Sequence, residues 1–207
     1  MTKAQIITKA QLYLDDTSEL STQEFSDLFD KMYNVVNSAH TWEGTKAEGT
    51  GTTSTSVASV ALATGFLYFT ANNNYTDASE EAGRPVVYRG SDYTPYKVVS
   101  WSDRRRYRDS EGYAYVDFAN SLLYFTKQPT AAEAVEYDYH MQQAALADGE
   151  SPWFPVEFHD AIYHLMVSDD FMIQASDKAK SYAAENRAAA EQFMDRMKYW
   201  NAQLVQI

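Results

Sequence analysis

Cysteine is absent from this 207-residue chain. That excludes a disulfide scaffold, a thiolate zinc site and a cysteine nucleophile. A surplus of positive charge is missing too: 17 Lys and Arg stand against 29 Asp and Glu, a formal charge of −12. A general nucleic-acid binder needs the opposite sign, to neutralise phosphates. No apolar run approaches the roughly 18–20 residues that span a bilayer, so no membrane partner is expected. The opening MTKAQIITKAQLYLDD has only short apolar stretches broken by Lys, Thr and Gln, and does not read as a signal peptide. The 8 glycines form neither a Gly-Lys-Thr phosphate loop nor a GxGxxG, and there is no GxSxG nucleophile elbow. What is present is 45% hydrophobic residues, too many for a disordered acidic tail and enough to build a core in one domain or two small ones.

Three regions differ in texture. Residues 1–42 read as two helices. In the first, Ile6, Ala10 and Leu14 are four apart. In the second, Phe25, Leu28, Phe29, Met32, Val35, Val36 and Ala39 recur at spacings of three and four. Ser21-Thr22-Gln23-Glu24 marks its start as a capping box, in which Ser and Glu satisfy each other's backbone donors. Trp42 plugs the end of this helical pair. Residues 43–56 (EGTKAEGTGTTSTS) are rich in Gly, Thr and Ser and read as a flexible connection or an extended arm. Residues 57–150 read as a β insertion. Val135 to Gln142 alternates apolar and polar, and Pro85 to Arg89, Tyr96 to Trp101 and Tyr113 to Phe118 are further strands. Eleven of the 16 tyrosines fall between residues 57 and 148, which suits a half-exposed sheet. Leu-Tyr-Phe-Thr occurs twice, at 67–70 and 123–126, either as equivalent hairpin strands or by coincidence. Residues 151–207 are helical again, with Pro155 at a first turn and an apolar stripe of Phe158, Ile162, Leu165, Met166 and Ile173. An Ala-rich last helix carries Ala190, Phe193, Met197, Trp200 and Leu204 on one face. The expected fold is α+β: a helical bundle of N- and C-terminal helices around a central Tyr-rich antiparallel β insertion.

The 4 histidines are the first candidates for chemistry. His159 and His164 are five apart and do not share a helix face as a zinc-binding i, i+4 pair would. Asp160 and His164 are four apart, a spacing that can hold a metal jointly or simply place two polar groups on the first turns of a helix. His40 is isolated, and the alternation puts His140 on the polar face of its strand. Adjacent acids (Asp15-Asp16, Glu80-Glu81, Asp169-Asp170) point in different directions on a helix and read as solvated charges. Asp169 lies near the apolar stripe and either pairs with a base of the last helix or borders the stripe. No catalytic residue, metal ligand or cofactor is assigned. One local exception breaks the acidic background: Arg104-Arg105-Arg106-Tyr107-Arg108. It reads as a solvated loop between strands, as a contact with acids of a neighbouring subunit, the use that suits arginine's planar fork, or as a phosphate contact with passing DNA. The acidic surroundings weigh against the last.

The opening helix pair LYLDDTSELSTQEFSDLFDKMYNVVNSAHTWE, the Tyr-rich insertion and the segment WFPVEFHDAIYHLMVSDDFMIQ with its long final helix together carry a resemblance. The chain resembles the head-to-tail adaptor (connector, or head-completion) proteins of tailed bacteriophages, and is most like the tail tubular A-type adaptors of short-tailed phages. Pro155-Val156-Glu157-Phe158 fits the place where such adaptors reopen the helices after the β insertion. The resemblance implies a structural, non-enzymatic virion protein, made in the host cytoplasm. About a dozen copies would form a ring between the portal protein and the tail or nozzle protein, and double-stranded DNA would pass through the ring without specific binding. It also implies that the C-terminal segment grips the portal, a role that falls here to Trp200, Leu204, Val205 and Ile207. Those residues otherwise finish the packing of the last helix. In a ring of strongly acidic copies, Arg104, Arg105, Arg106 and Arg108 become inter-subunit contact candidates. A different class remains beside it: a carbohydrate- or receptor-binding accessory virion module built on the Tyr/Trp-rich sheet, with Trp101 in the site.

Overall fold

Residues 1–14, 20–71, 84–174 and 176–204 are described by the computed structural model of the protein. Asp15-Asp16, Glu80-Glu81, Val205 and Ile207 lie outside them. Among the described residues helix and strand segregate along the chain: two helices, eight strands and two further helices, an α+β fold. Two units divide it, Met1–Gly44 with Gln143–Ile207, and Thr45–Gln142.

In the helical unit, α1 (Lys3–Leu14) buries Ile6, Ala10 and Leu14, joined by Ile7. The capping box fixes the start of α2 (Thr22–Ser38). The Glu24 N–H donates to the Ser21 hydroxyl at 3.3 Å, and the Ser21 N–H donates to the Glu24 carboxylate at 2.8 Å. These bonds hold the Glu24 carboxyl below its ordinary pKa, the Ser21 side chain contributing most. The buried face of α2 is Phe25, Leu28, Phe29, Met32 and Val36, and it also includes Tyr33. Trp42 is wholly buried, and its indole N–H donates to the Val36 carbonyl at 2.9 Å. The third helix, α3 (Asp160–Ile173), packs against α1, α2 and the 28-residue α4 (Asp177–Leu204). Having neighbours on several sides explains why α3 buries Ala161, Tyr163, Val167 and Phe171 beyond its expected stripe. Ile173, expected on that stripe, is exposed in the last turn of α3. Small side chains on α4 (Ala179, Ala183, Ala190) are buried, and the Ser168 hydroxyl donates to the Ala183 carbonyl at 2.9 Å across the α3–α4 contact.

In the other unit the strands are β1 (Lys46–Thr52), β2 (Ser59–Ala61), β3 (Phe66–Phe69), β4 (Val86–Arg89), β5 (Thr94–Val99), β6 (Tyr113–Asp117), β7 (Leu122–Phe125) and β8 (Ala134–Met141). Their order is β1-β8-β4-β5-β6-β7-β2. Strand β1 runs along one edge of β8, while the other edge is shared: β4 lies opposite Val135–Tyr137 and β3 opposite Tyr139–Met141. A Cβ at Gly51 of β1 would stand 3.0 Å from the Cβ of Val60 in β2, so the sheet curls until its terminal strands meet. The residues inside the curl are mainly Val87, Tyr96, Leu123, Phe125, Val135 and Tyr137.

Several expectations change. Residues 46–52, read as flexible from their Gly and Thr content, pair with β8 residue by residue. Gly49 lies across from Tyr137, and a Cβ there would stand inside the Tyr137 ring. Glycine here admits a close aromatic cover over the strand. Among the described residues the sheet is antiparallel with one exception, β5 and β6, which run parallel because residues 100–112 carry the chain back across. The two Leu-Tyr-Phe-Thr copies are a coincidence: Leu123 is fully buried in β7, whereas Leu67 is exposed in β3. His140 stays in phase with Glu136 and Asp138, as the alternation expects, but it is buried there rather than exposed. Its Nδ1 lies 2.9 Å from the Thr45 hydroxyl, and its ring stands against Tyr68.

Candidate functional site

The residues weighed for chemistry each have a partner of their own. Asp160 accepts from the Lys9 ammonium at 2.6 Å, while His164 Nδ1 lies 2.8 Å from the Asn186 amide oxygen on α4. His159 is buried, with Nε2 2.9 Å from the Phe154 carbonyl oxygen and Nδ1 2.9 Å from the Met1 amine. A carbonyl can only accept, so Nε2 carries the proton. Burial holds this imidazole below its ordinary pKa. Asp169 pairs at 2.8 Å with Lys31 of α2, not with the last helix, and the buried member of that acid pair is Asp170.

The arginine segment is the crossover from β5 to β6, and it is well structured. The Asp103 N–H donates to the Ser100 hydroxyl at 3.2 Å, and the same hydroxyl lies 2.7 Å from the Asp103 carboxylate. A short 3-10 turn, Asp103–Arg105, follows. Downstream, Tyr107 stacks on Tyr113 at 4.1 Å, the Asp109 N–H donates to the Thr126 carbonyl at 3.0 Å, and the Thr126 hydroxyl donates to the Ser110 carbonyl at 2.6 Å. The Arg104 guanidinium lies 3.8 Å from the Trp101 ring centroid and donates to the Trp101 carbonyl. Trp101 in turn meets Tyr115 edge-on at 5.5 Å, and Tyr115 stacks on Tyr124 at 5.4 Å. Burial raises the Tyr115 hydroxyl's pKa. A groove of about 340 Å³ results, lined by Arg104, Arg105 and Arg108 with Asp109, Tyr115, Tyr124 and Thr126. Arg106 is not in its lining and lies over the Tyr107 ring.

Elsewhere several basic side chains meet carboxylates, Lys3 on Asp30, Lys9 on Asp160, Lys31 on Asp169 and Lys127 on Glu111, while Lys178 and Arg196 lie over the Tyr182 and Phe193 rings. Among the described residues Arg104, Arg105 and Arg106 meet no carboxylate, and Arg108 has only its exposed neighbour Asp109, at 3.7 Å. The structure therefore brings three of the four arginines to one concave surface, where among the described residues Arg104 and Arg105 have no carboxylate partner and Arg108 has only the exposed Asp109 on the same rim.

At the other end of the chain, Trp200 is half-buried in its own unit, against Trp153 and Phe158. Asn201 beside it accepts from the Glu43 N–H at 2.7 Å and donates to the Thr41 carbonyl at 3.2 Å. Leu204 is partly exposed at the last turn.

A sequence profile covering nearly the entire chain, residues 1–205, matches the family described as SU10 adaptor protein. The chain belongs to the SU10 adaptor protein family. It is thus a phage adaptor, a structural component of the virion that binds other virion components. A search of curated proteins found no match. Among the described residues no helix of this SU10 adaptor is long and apolar enough to cross a membrane.

Sequence reasoning missed two features of this SU10 adaptor. The first is Arg89, buried between Tyr96 and Phe125 and paired with Glu133 at 2.6 Å and Glu111 at 3.1 Å. Burial, and then the Glu111 carboxylate, raise the Tyr96 hydroxyl's pKa, while Lys127 above all holds Glu111 low. The signal was present: Arg89 shares a strand face with Val87. The second is a hollow of about 370 Å³ among Tyr13, Phe171, Lys178 and Tyr182. It is assembled from three helices, and no local pattern announces it.

Proposed function

We propose that this adaptor works as a ring of about a dozen copies that joins the portal of the phage head to the tail or nozzle and extends the DNA channel, as the tail tubular A-type adaptors of short-tailed phages do. The family match over residues 1–205 carries the reading. In it the protein acts by contact and catalyses nothing, and DNA passes without specific binding, since a wall with −12 per copy repels phosphates. The C-terminal segment makes the portal contact through Leu204, Val205 and Ile207, with Trp200 securing the helix that leads to them. The carbohydrate reading finds less support, because the Trp101 face it needs for stacking is covered by Arg104.

Electron microscopy of the full chain mixed with the portal protein of the same virus tests the proposal. The expected outcome is one extra ring of density on the portal. Portal particles that stay bare at saturating adaptor would reject it. Removing residues 202–207, which spares the Asn201 hydrogen bonds, is expected to abolish attachment and leave the fold intact.

A further inference from the structure

We propose that the groove of Arg104, Arg105 and Arg108 docks the acidic helical unit of a second copy of this chain. The inference rests on the ring-forming adaptor reading and names the surface that joins neighbours. Three observations lead to it.

The first is charge. Residues 1–44 and 143–207 hold 17 Asp and Glu against 8 Lys and Arg, a formal −9, while residues 45–142 hold 12 against 9, or −3. The chain thus has an excess of carboxylates, yet among the described residues Arg104 and Arg105 meet none and Arg108 only its exposed neighbour Asp109, so the groove keeps a surplus of positive charge for an outside anion. Each copy carries both the groove and a complementary acidic unit. Such a pairing is head-to-tail, the kind that closes rings.

The second is preorganisation. The crossover is tied to Thr126 by two hydrogen bonds, and Arg104 is held on Trp101, which is braced by the Tyr115–Tyr124 stack. Side chains already ordered lose less entropy on binding, and a fixed guanidinium fork selects a planar oxyanion. The third is the choice between anions. A guanidinium fork accepts carboxylate and phosphate alike. Duplex DNA would approach against a unit that is itself net negative, whereas a neighbouring helical unit presents carboxylates on a folded surface that can be matched in shape.

Charge reversal at the exposed pair, Arg105→Glu with Arg108→Glu, in the full chain tests this. Neither side chain has a carboxylate partner whose loss would unfold the unit, Arg108–Asp109 being solvent-exposed, and thermal melts check that the fold is kept. A photocrosslinking residue at position 105 of the otherwise unaltered chain supplies the second measurement, with crosslinked peptides mapped on portal-bound particles. The inference expects crosslinks into residues 1–44 or 143–207 of another copy, and ring occupancy on the portal lowered about tenfold or more by the double reversal. If the unaltered chain forms rings but the reversed chain forms them equally well, or position 105 crosslinks only to portal, tail protein or added duplex DNA, the inference is overturned and the adaptor reading stands. If the unaltered chain adds no ring to the portal, the adaptor reading fails and the inference falls with it.

Discussion

Two buried side chains show how single residues constrain this protein. His159 sits 2% exposed with its pKa below the ordinary 6.5, chiefly because burial opposes the charged form. In the unfolded chain it takes up a proton below about pH 6.5, while the folded chain holds it neutral. Its contribution to stability is therefore intact above that pH. It is lost as the pH falls from there towards the folded pKa, by at most about 1.4 kcal/mol per pH unit. Urea titrations of the native chain and His159→Phe between pH 7 and 5 should show a shallower pH dependence in the variant. Parallel profiles would mean that His159 charges freely in the folded state. Arg89 is the second case. Arg89→Ala strips countercharge from Glu133 and empties the space between Tyr96 and Phe125, and should cost on the order of 3 kcal/mol. The value falls at the low end for a broken buried pair because Glu111 keeps Lys127 and is half exposed. Arg89→Met, which keeps the packing, should recover part of that loss in the same measurement.

At the scale of elements, the decisive contacts are those that local patterns do not encode. Gly49→Val on β1 places a branched side chain where the Tyr137 ring lies. The ring must move, and its hydroxyl then leaves the Ala63 N–H that it accepts from at 2.8 Å. Overpacking of this kind costs about 2 kcal/mol, to be read from the shift in the denaturation midpoint. The helices were legible because their signals are local: the Ser21–Glu24 box, the four-residue spacing of Ile6, Ala10 and Leu14, and the stripe on α2. Strand β8 was legible by its alternation. Strand β1 was not, because Lys-Ala-Glu-Gly-Thr-Gly-Thr has no apolar alternation and becomes a strand only through its pairing with β8, some 90 residues on. The same limit applied to the site. The arginine run was visible as a run, but that it bends into a groove depends on Thr126 and the Tyr115–Tyr124 stack, which come from separate strands. The environment of His140 was misjudged for a related reason: alternation assigns a face, and β3 and Thr45 then covered that face.

For the whole molecule, the two units differ in what they hold and in how the chain joins them. Each has its own core, one around Phe29, Ile162 and Met166 and the other around Tyr96, Leu123 and Val135. The chain enters the sheet through β1 and leaves it through β8, and these strands pair antiparallel with Lys46 opposite His140. Entry and exit therefore lie side by side, a geometry that a short linker can reproduce. A chain in which about four Gly/Ser residues replace residues 45–142 should keep the helical content of α1–α4 and melt cooperatively by circular dichroism. Loss of that content would show that the helical core depends on the sheet. The same chain separates the two contacts proposed for the adaptor. It retains the C-terminal segment assigned to the portal but has no arginine groove, so it should bind the portal as separate copies, with a simple saturation curve and no closed ring in class averages. Closed rings from this shortened chain would place the neighbour contact in the helices and leave the arginines without that role. The neighbour contact proposed for these acidic copies is a cationic surface, and the Arg104–Arg108 crossover that supplies it lies in the unit that this chain lacks.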